Sequence, residues 1–214
     1  MIIPKLHYIT QGQSPKEHIE NIQKACSSGA ELVQLHLKNI SEKNILKLAT
    51  EAREITSHFQ TRLIINDYYK IAKNIKADGV HLGPTDACPK EVRKHLYTWQ
   101  IIGGTASTLQ ECQTLIAKNV DYISLGPFKT SKTKETTNPE LELEAYKTIL
   151  DTLNTQIPII SIGGITTDDV KTILETGIVG IAVSEAITLN FNSIKTFNNL
   201  LKASSTEEKR YSFK

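Results

Sequence analysis

The chain has 214 residues, of which 39% are hydrophobic and 22% are charged, and its formal net charge is +2. This composition is that of one globular domain. No block of like charges indicates a nucleic-acid partner, and no apolar run is long enough to predict a membrane span. The three cysteines include no CxxC pair, so we expect a reducing, cytoplasmic location and neither a disulfide framework nor a zinc site.

Eight short runs rich in Ile, Val and Leu recur along the chain, and a helical stretch follows each of them. The runs cover residues 6–10, 31–38, 62–67, 79–83, 100–106, 122–127, 158–164 and 180–186. Continuous apolar runs are typical of parallel strands that are buried on both faces. The pattern predicts an α/β fold, a single (β/α)8 TIM barrel over residues 1–202, followed by a polar C-terminal tail over 203–214.

The helical stretches between the runs carry start signals. Ser14 precedes Pro15, which is the pattern of an N-cap followed by proline at the first helical position. Two of the predicted helices are short, at 68–75 and 89–97. A doubly wound open sheet is the alternative fold, but the turn after the first strand lacks the GxGxxG fingerprint of that fold.

The second predicted strand ends in alternating polar residues. Gln34, His36 and Lys38 fall on one face, which is the face toward the barrel interior. They could simply fill the upper layer of the barrel. A lysine in that layer is costly without an anionic partner, so we interpret these residues as binding groups at the C-terminal end of the barrel, where such barrels carry their active sites.

Two carboxylates follow neighbouring strands. Asp67 comes directly after Asn66 at the end of the third strand, and Asp86 lies just past the end of the fourth. Each alone could cap a helix. As a pair at adjacent strand ends they are the hard oxygen ligands that Mg²⁺ takes together with substrate phosphates, so we predict a metal site at Asp67 and Asp86.

Small and hydroxyl-bearing residues follow the later strands. Thr105 comes after a Gly-Gly pair on the fifth strand, and the loop after the sixth strand offers Ser131, Thr133 and Lys134 to a phosphate. Gly164 and the Ser184–Glu185 pair follow the seventh and eighth strands, where barrels of this kind bind phosphate through backbone N–H groups. We expect His81, on the fourth strand, to pack inside the barrel.

Several of these segments together resemble the thiamine phosphate synthase family. They are VQLxxK from Val33, LIIND from Leu63, ADGVHLGxxD from Ala77, LGPF from Leu125 with the hydroxyl-rich loop behind it, and IGGI from Ile162. The resemblance runs from about residue 6 to about residue 190. It implies an Mg²⁺-dependent transferase that joins a hydroxymethylpyrimidine diphosphate to a thiazole phosphate and releases pyrophosphate.

The resemblance also implies roles for the site residues. Lys38 and Lys134 would be the catalytic groups that stabilise the leaving diphosphate, and Asp67 and Asp86 would hold Mg²⁺. The pyrimidine diphosphate would be held by Gln34, Lys38, Asn66, Thr105 and Lys134. The thiazole phosphate would be held by Ser131, Thr133, the Gly164 amide and the backbone of Ser184 and Glu185. The expected partners are these small molecules, with a homo-oligomer as an open alternative.

Four positions depart from the family pattern. His36 stands where arginine is usual, Ser124 and Glu142 stand where glycine is expected, and Glu185 replaces a small residue. Two other functions therefore stay open from the sequence. One is a weakened or non-catalytic paralogue that binds thiazole phosphate or a partner protein. The other is a thiazole tautomerase, although that relative uses a histidine where this chain has Ser107.

Overall fold

Eight parallel strands close into a barrel in the computed structural model, which describes residues 2–38, 40–130 and 139–202. The strands are β1 (Leu6–Ile9), β2 (Leu32–Leu35), β3 (Arg62–Asn66), β4 (Gly79–Leu82), β5 (Ile101–Ala106), β6 (Tyr122–Leu125), β7 (Ile159–Ile162) and β8 (Gly180–Val183). Each strand pairs in parallel with the next, and β8 pairs with β1. The predicted (β/α)8 barrel is confirmed, and the predicted tail at 203–214 lies outside the described residues.

The helices between the strands cover the outside of the barrel. Within the described ranges they are α1 (Pro15–Ser27), α2 (Glu42–His58), α3 (Tyr69–Asn74), α4 (Pro89–His95), α5 (Leu109–Ala117), α6 (Leu143–Leu153), α7 (Val170–Leu174), α8 (Glu185–Leu189) and α9 (Ser193–Leu200). The Ser14 hydroxyl accepts the Glu17 N–H at 3.2 Å, as expected of an N-cap. Helices α3 and α4 are as short as predicted. None of the helices in the described ranges is long and apolar enough to cross a membrane.

The end of the eighth strand differs from the prediction. The apolar run at 180–186 indicated one strand, but β8 stops at Val183 and Glu185 begins the extra helix α8. Apolar residues continue across this boundary because α8 buries Ile187 just as β8 buries Val183. A short apolar run therefore does not distinguish a strand from the first turn of a buried helix.

Alternation along the strands separates two parts of the core. Residues that face outward from the strands pack against the helices in one large apolar cluster. Residues that face inward fill the lower barrel with a smaller cluster made of Leu32, Ile64, Ile101, Tyr122, Ile160 and Ala182. Above that layer the inward positions turn polar, which leaves the C-terminal end of the barrel open for a site.

Two carboxylates join neighbouring strands at the opposite, N-terminal end of the barrel. Asp78, just before β4, accepts the Leu63 N–H at 2.8 Å and lies 2.6 Å from the Arg53 guanidinium. Asp121, just before β6, accepts the Ile102 N–H at 2.7 Å and pairs with Arg93 at 2.5 Å. Each carboxylate thus bonds both the preceding strand and a helix that packs outside it.

Candidate active site

A cavity of about 570 Å³ opens at the C-terminal end of the barrel. Strand ends and loops from both halves of the chain contribute to its wall. The predicted site residues that line it are Gln34, His36, Lys38, Asn66, Thr105, Gly164, Ser184 and Glu185. Asp67 and Asp86 do not line the cavity, but each lies close in sequence to a residue that does. Asp67 directly follows Asn66, and Asp86 lies between Gly83 and the start of α4.

The alternating polar residues of β2 lie as predicted. The Gln34 side chain is buried, and its amide nitrogen donates to the side-chain oxygen Oδ1 of Asn66 on β3. The strand itself ends at Leu35, but the alternation continues past it. Leu37 is buried in the apolar cluster outside the barrel, and His36 and Lys38 on either side of it line the cavity. Lys38 is exposed, which leaves its ammonium group available to an anionic ligand.

One part of the wall was missed by sequence reasoning. Thr10, directly after β1, accepts the backbone N–H of His36 at 3.1 Å, and its hydroxyl lies 3.0 Å from Nδ1 of His18 on α1. Both Thr10 and His18 line the cavity, and burial lowers the pKa of His18. Thr10 ends the first apolar run, at the end of the barrel where such folds carry their sites, so its position was a signal that the sequence offered. His18 has no such signal, because it shows no ligand spacing.

Asp67 adopts a left-handed backbone conformation, with φ of 59°. It does not cap α3, because Tyr68 holds the N-cap position and no side-chain capping bond forms there. Among the described residues its carboxylate has no hydrogen-bond partner. Burial, together with the negative charge of Asp86, raises the pKa of Asp67 from 3.8 to about 6. The two carboxylates are therefore close enough to repel each other.

Asp86 is more constrained than Asp67. One carboxylate oxygen accepts the Gly83 N–H at 2.6 Å and closes the turn that leads from β4 to α4. The helix-cap alternative does not describe it, because Cys88 is the N-cap of α4 and makes no side-chain capping bond. Within residues 2–38, 40–130 and 139–202 no group of three or more His, Cys, Asp or Glu could hold a metal. The pair thus offers two carboxylates to a cation, a number that leaves coordination positions for substrate oxygens and water.

His81 lies inside the barrel, as predicted, and bridges two hydroxyl groups. Its Nδ1 lies 2.9 Å from the Tyr122 hydroxyl, and its Nε2 lies 2.8 Å from the Thr105 hydroxyl. Tyr122 is fully buried on β6, while Thr105 is half-buried on β5 and lines the cavity. A chain of polar groups therefore runs from the barrel core to the cavity wall.

The glycines after β7 have a packing role in addition to the predicted phosphate contact. Gly163 and Gly164 have φ of 109° and 54°, which disfavours other residues. A Cβ on Gly164 would stand 2.8 Å from the Lys129 Cβ, and the Lys129 N–H donates to the Gly163 carbonyl at 3.1 Å. The base of the loop after β6 therefore lies directly on these glycines. Ser131, Thr133 and Lys134, farther along that loop, lie outside the described residues.

The positions that depart from the family pattern fall into two groups. His36 and Glu185 line the cavity, and the Ser184 hydroxyl beside Glu185 donates to the Gln11 side chain at 3.3 Å. Glu142 is exposed at the N-cap of α6 and does not line the cavity. Ser124 is buried in the barrel and stands opposite Thr105. The substitutions with direct access to a ligand are thus His36 and Glu185.

Comparison with known proteins matches this barrel to one family. A family model for thiamine monophosphate synthase matches residues 6–187. The thiamine-phosphate synthase of Flavobacterium psychrophilum is 41% identical over 201 residues, covering 92% of this chain and 98% of that protein. That of Flavobacterium johnsoniae is 41% identical over 187 residues, covering 86% and 88% of the two chains.

A solved structure agrees with these matches. Thiamine phosphate pyrophosphorylase from Pyrococcus furiosus superposes with a TM-score of 0.80 at 26% identity, covering 92% of this chain and 95% of that one. Relatives that are synthases do not favour the alternatives of a non-catalytic paralogue or a tautomerase. By its sequence and its fold, the chain belongs to the thiamine monophosphate synthase family.

Proposed function

We propose that the chain joins a hydroxymethylpyrimidine diphosphate to a thiazole phosphate, giving thiamine phosphate and pyrophosphate. The observation that carries this proposal is the arrangement at the C-terminal end of the barrel. There, hydrogen-bonding groups and an exposed lysine line one cavity, and the carboxylate pair of Asp67 and Asp86 flanks it. A reaction that separates a diphosphate from a heteroaromatic ring needs groups of both kinds.

The pyrimidine half of the substrate is assigned to the wall formed by β2, β3 and β5. Gln34 and Asn66 hold each other by a hydrogen bond, so each presents a fixed orientation to a ring. Thr105 supplies a hydroxyl from the facing strand. Lys38 and His36, which line the cavity, are assigned to the diphosphate. Lys134, which lies outside the described residues, is assigned to the same group.

Asp67 and Asp86 are proposed to hold Mg²⁺ against the diphosphate. The donors fit this ion, because two oxygen ligands of like charge repel each other and a cation between them would remove that repulsion. Bound there, Mg²⁺ would neutralise charge on the departing pyrophosphate. The raised pKa of Asp67 supports the assignment. Burial and the charge of Asp86 disfavour the ionised carboxylate, and a bound cation would stabilise it.

The thiazole phosphate is assigned to the loops after β7 and β8. The positive φ of Gly163 and Gly164 turns the backbone sharply at this point, and both residues line the cavity. The Gly164 amide and the Ser184–Glu185 backbone are the proposed donors, with Ser131 and Thr133 from the loop after β6. The Glu185 side chain opposes this assignment electrostatically, because a carboxylate beside a phosphate raises its binding free energy.

The chemistry requires no covalent nucleophile from the protein. The bond between the pyrimidine methylene carbon and the diphosphate oxygen breaks, and its electron pair leaves with pyrophosphate. The lone pair of the thiazole nitrogen then forms the new carbon–nitrogen bond, and no proton has to move in that step. The protein aligns the two rings and places positive charge, from Lys38 and Lys134, at the leaving group.

A reconstituted reaction tests the proposal. Purified protein is mixed with both phosphorylated substrates and Mg²⁺, and thiamine phosphate is quantified against reactions that lack one substrate. Product that requires both substrates supports the proposal, and its absence overturns it. Addition of EDTA tests the metal separately, because turnover that persists without divalent ions would remove Mg²⁺ from the scheme while leaving the reaction in place.

A reducing compartment such as the cytoplasm is the proposed location. Cys26, Cys88 and Cys112 are free thiols, and two of them are buried in the core. Buried free thiols suit a compartment where thiols stay reduced.

A further inference from the structure

Two side chains, His81 on β4 and Tyr122 on β6, stand at one level of the barrel and connect the core to the cavity through Thr105 on β5. His81 on β4 pairs in register with Gly103 on β5, and Gly103 pairs with Tyr122 on β6. A Cβ on Gly103 would come within 2.1 Å of the Tyr122 ring. The missing side chain at Gly103 therefore lets the Tyr122 ring cross β5 and reach His81.

The direction of the hydrogen bonds follows from the buried phenol. Burial raises the pKa of Tyr122, so its hydroxyl keeps a proton and needs an acceptor. Within the described part of the chain, the hydrogen-bond partner of that hydroxyl is Nδ1 of His81, at 2.9 Å. The opposite direction would leave a buried O–H group without an acceptor, which costs about 1–3 kcal/mol. We therefore assign Tyr122 as the donor and Nδ1 as the acceptor.

The assignment of Nδ1 as an acceptor determines the direction of the next hydrogen bond, from His81 to Thr105. An imidazole that accepts at Nδ1 carries its proton on Nε2. Nε2 then donates to the Thr105 oxygen, which lies 2.8 Å away. The Thr105 hydroxyl proton cannot point back at His81, and within the described part of the chain the Thr105 hydroxyl has no second partner, so its proton is available to a ligand in the cavity that Thr105 lines.

We infer that Tyr122 and His81 are positioning residues that hold the Thr105 hydroxyl as a hydrogen-bond donor toward the ligand. The inference rests on the proposed function, and it adds a selection rule for the pyrimidine pocket. The group that faces Thr105 must be an acceptor, such as an unprotonated ring nitrogen of the pyrimidine. A ligand that presents an N–H at this point would meet a donor and bind less tightly.

The test begins with two tyrosine variants. Tyr122→Phe removes the hydroxyl that fixes Nδ1 and leaves the ring in place. Tyr146→Phe is the matched control, since Tyr146 is also fully buried but bonds Leu125 and Ser161, which do not line the cavity. Loss of one neutral hydrogen bond predicts that Tyr122→Phe raises KM for the pyrimidine diphosphate by about two- to tenfold. KM for the thiazole phosphate should stay unchanged, and Tyr146→Phe should leave the ratio of the two KM values as in the wild type.

A double-mutant cycle shows whether the effect passes through Thr105. Thr105→Val removes the hydroxyl itself at nearly constant volume. If Tyr122 acts through Thr105, then Tyr122→Phe has no further effect on KM in the Thr105→Val background. Additive effects of the two substitutions, or equal increases in both KM values, would overturn the inference.

The tautomer can be read without any substrate. Nitrogen-15 NMR of the ligand-free wild-type protein should show Nδ1 of His81 unprotonated and Nε2 protonated, with the signal assigned by its loss in His81→Gln. A protonated Nδ1 would overturn the inference even if the enzyme were active. Failure of the wild-type protein to form thiamine phosphate would instead overturn the proposed function and leave this tautomer result intact.

Discussion

The two ends of the barrel treat carboxylates in opposite ways. At the N-terminal end, Asp78 and Asp121 each accept a backbone N–H from the preceding strand and pair with an arginine. At the C-terminal end, and among the described residues, the Asp67 carboxylate has no hydrogen-bond partner and the Asp86 carboxylate bonds only the turn that contains it. Aspartates at the N-terminal end are thus bonded to backbone N–H groups and to arginines, whereas Asp67 at the C-terminal end is repelled by the like charge of Asp86.

This difference agrees with the proposed roles, in which Asp78 and Asp121 stabilise the fold and Asp67 and Asp86 bind a cation. A carboxylate that is paired with arginine and with backbone N–H groups is stabilised in its charged form. Asp67 is instead destabilised when charged, since burial and Asp86 raise its pKa to about 6. Strongly shifted pKa values cluster at functional sites, which supports the proposed metal site.

The largest expected effect is the loss of turnover in Asp67→Asn. If this carboxylate holds the cation that neutralises pyrophosphate, its removal should lower kcat/KM by about a hundredfold or more. The measurement is the initial rate of thiamine phosphate formation at saturating Mg²⁺. Asp151→Asn, an exposed carboxylate on α6, is the control and should match the wild type. A wild-type rate in Asp67→Asn would show that the Asp67 carboxylate is not needed for turnover, and it would contradict the functional role proposed for the C-terminal carboxylates.

Asp78→Ala should change stability where Asp67→Asn changes activity. It leaves the Leu63 N–H and the Arg53 guanidinium without their acceptor, and both are largely buried, with 28% of the Arg53 side chain exposed. We expect the free energy of unfolding to fall by about 2–3 kcal/mol, measured by urea denaturation. The kcat of the remaining folded protein should be unchanged. A stability equal to that of Asp151→Ala would contradict this account of the N-terminal end.

The pH dependence of stability should show that the charged form of Asp67 is disfavoured in the folded protein. The folded protein keeps the Asp67 proton to a higher pH than the unfolded chain, because the pKa rises from 3.8 to about 6. The contribution of Asp67 to the free energy of unfolding therefore falls as pH rises through that interval and is constant above it. The ligand-free Asp67→Asn protein should gain Tm relative to the wild type over the same interval, since asparagine also tolerates the left-handed conformation. A Tm difference that does not vary with pH would show that the carboxylate is not destabilised when charged.

The smallest expected effect concerns His36→Arg. A guanidinium binds a diphosphate through two parallel hydrogen bonds and is always charged, so KM for the pyrimidine diphosphate should fall by about three- to tenfold. His58→Arg adds the same charge on an exposed position of α2 and should leave KM unchanged. Equal KM values in the two variants would mean that His36 does not face the diphosphate.

The sequence predicted the strands and much of the cavity because both depend on local periodicity. Apolar runs located all eight strands, and alternation from β2 into the segment after it put Gln34, His36 and Lys38 on the cavity wall. Boundaries were less predictable where apolar residues continue from a strand into a helix, as they do between Val183 and Ile187.

Contacts between distant segments could not be read from the sequence. His18 reaches the cavity through the packing of α1 against the barrel, where it contacts Thr10, and it carries no spacing signal. The link from Tyr122 to His81 depends on register across three strands and on the absence of a side chain at Gly103. Such features follow from closure of the barrel, which no local pattern encodes.

Thermal unfolding with Mg²⁺ and inorganic pyrophosphate tests most directly whether the carboxylates at the C-terminal end bind a cation together with a diphosphate. Binding to the folded state raises Tm by mass action. The wild-type protein should show a rise that requires both Mg²⁺ and pyrophosphate, and Asp67→Asn should show none. An equal rise in Asp67→Asn would contradict the metal site.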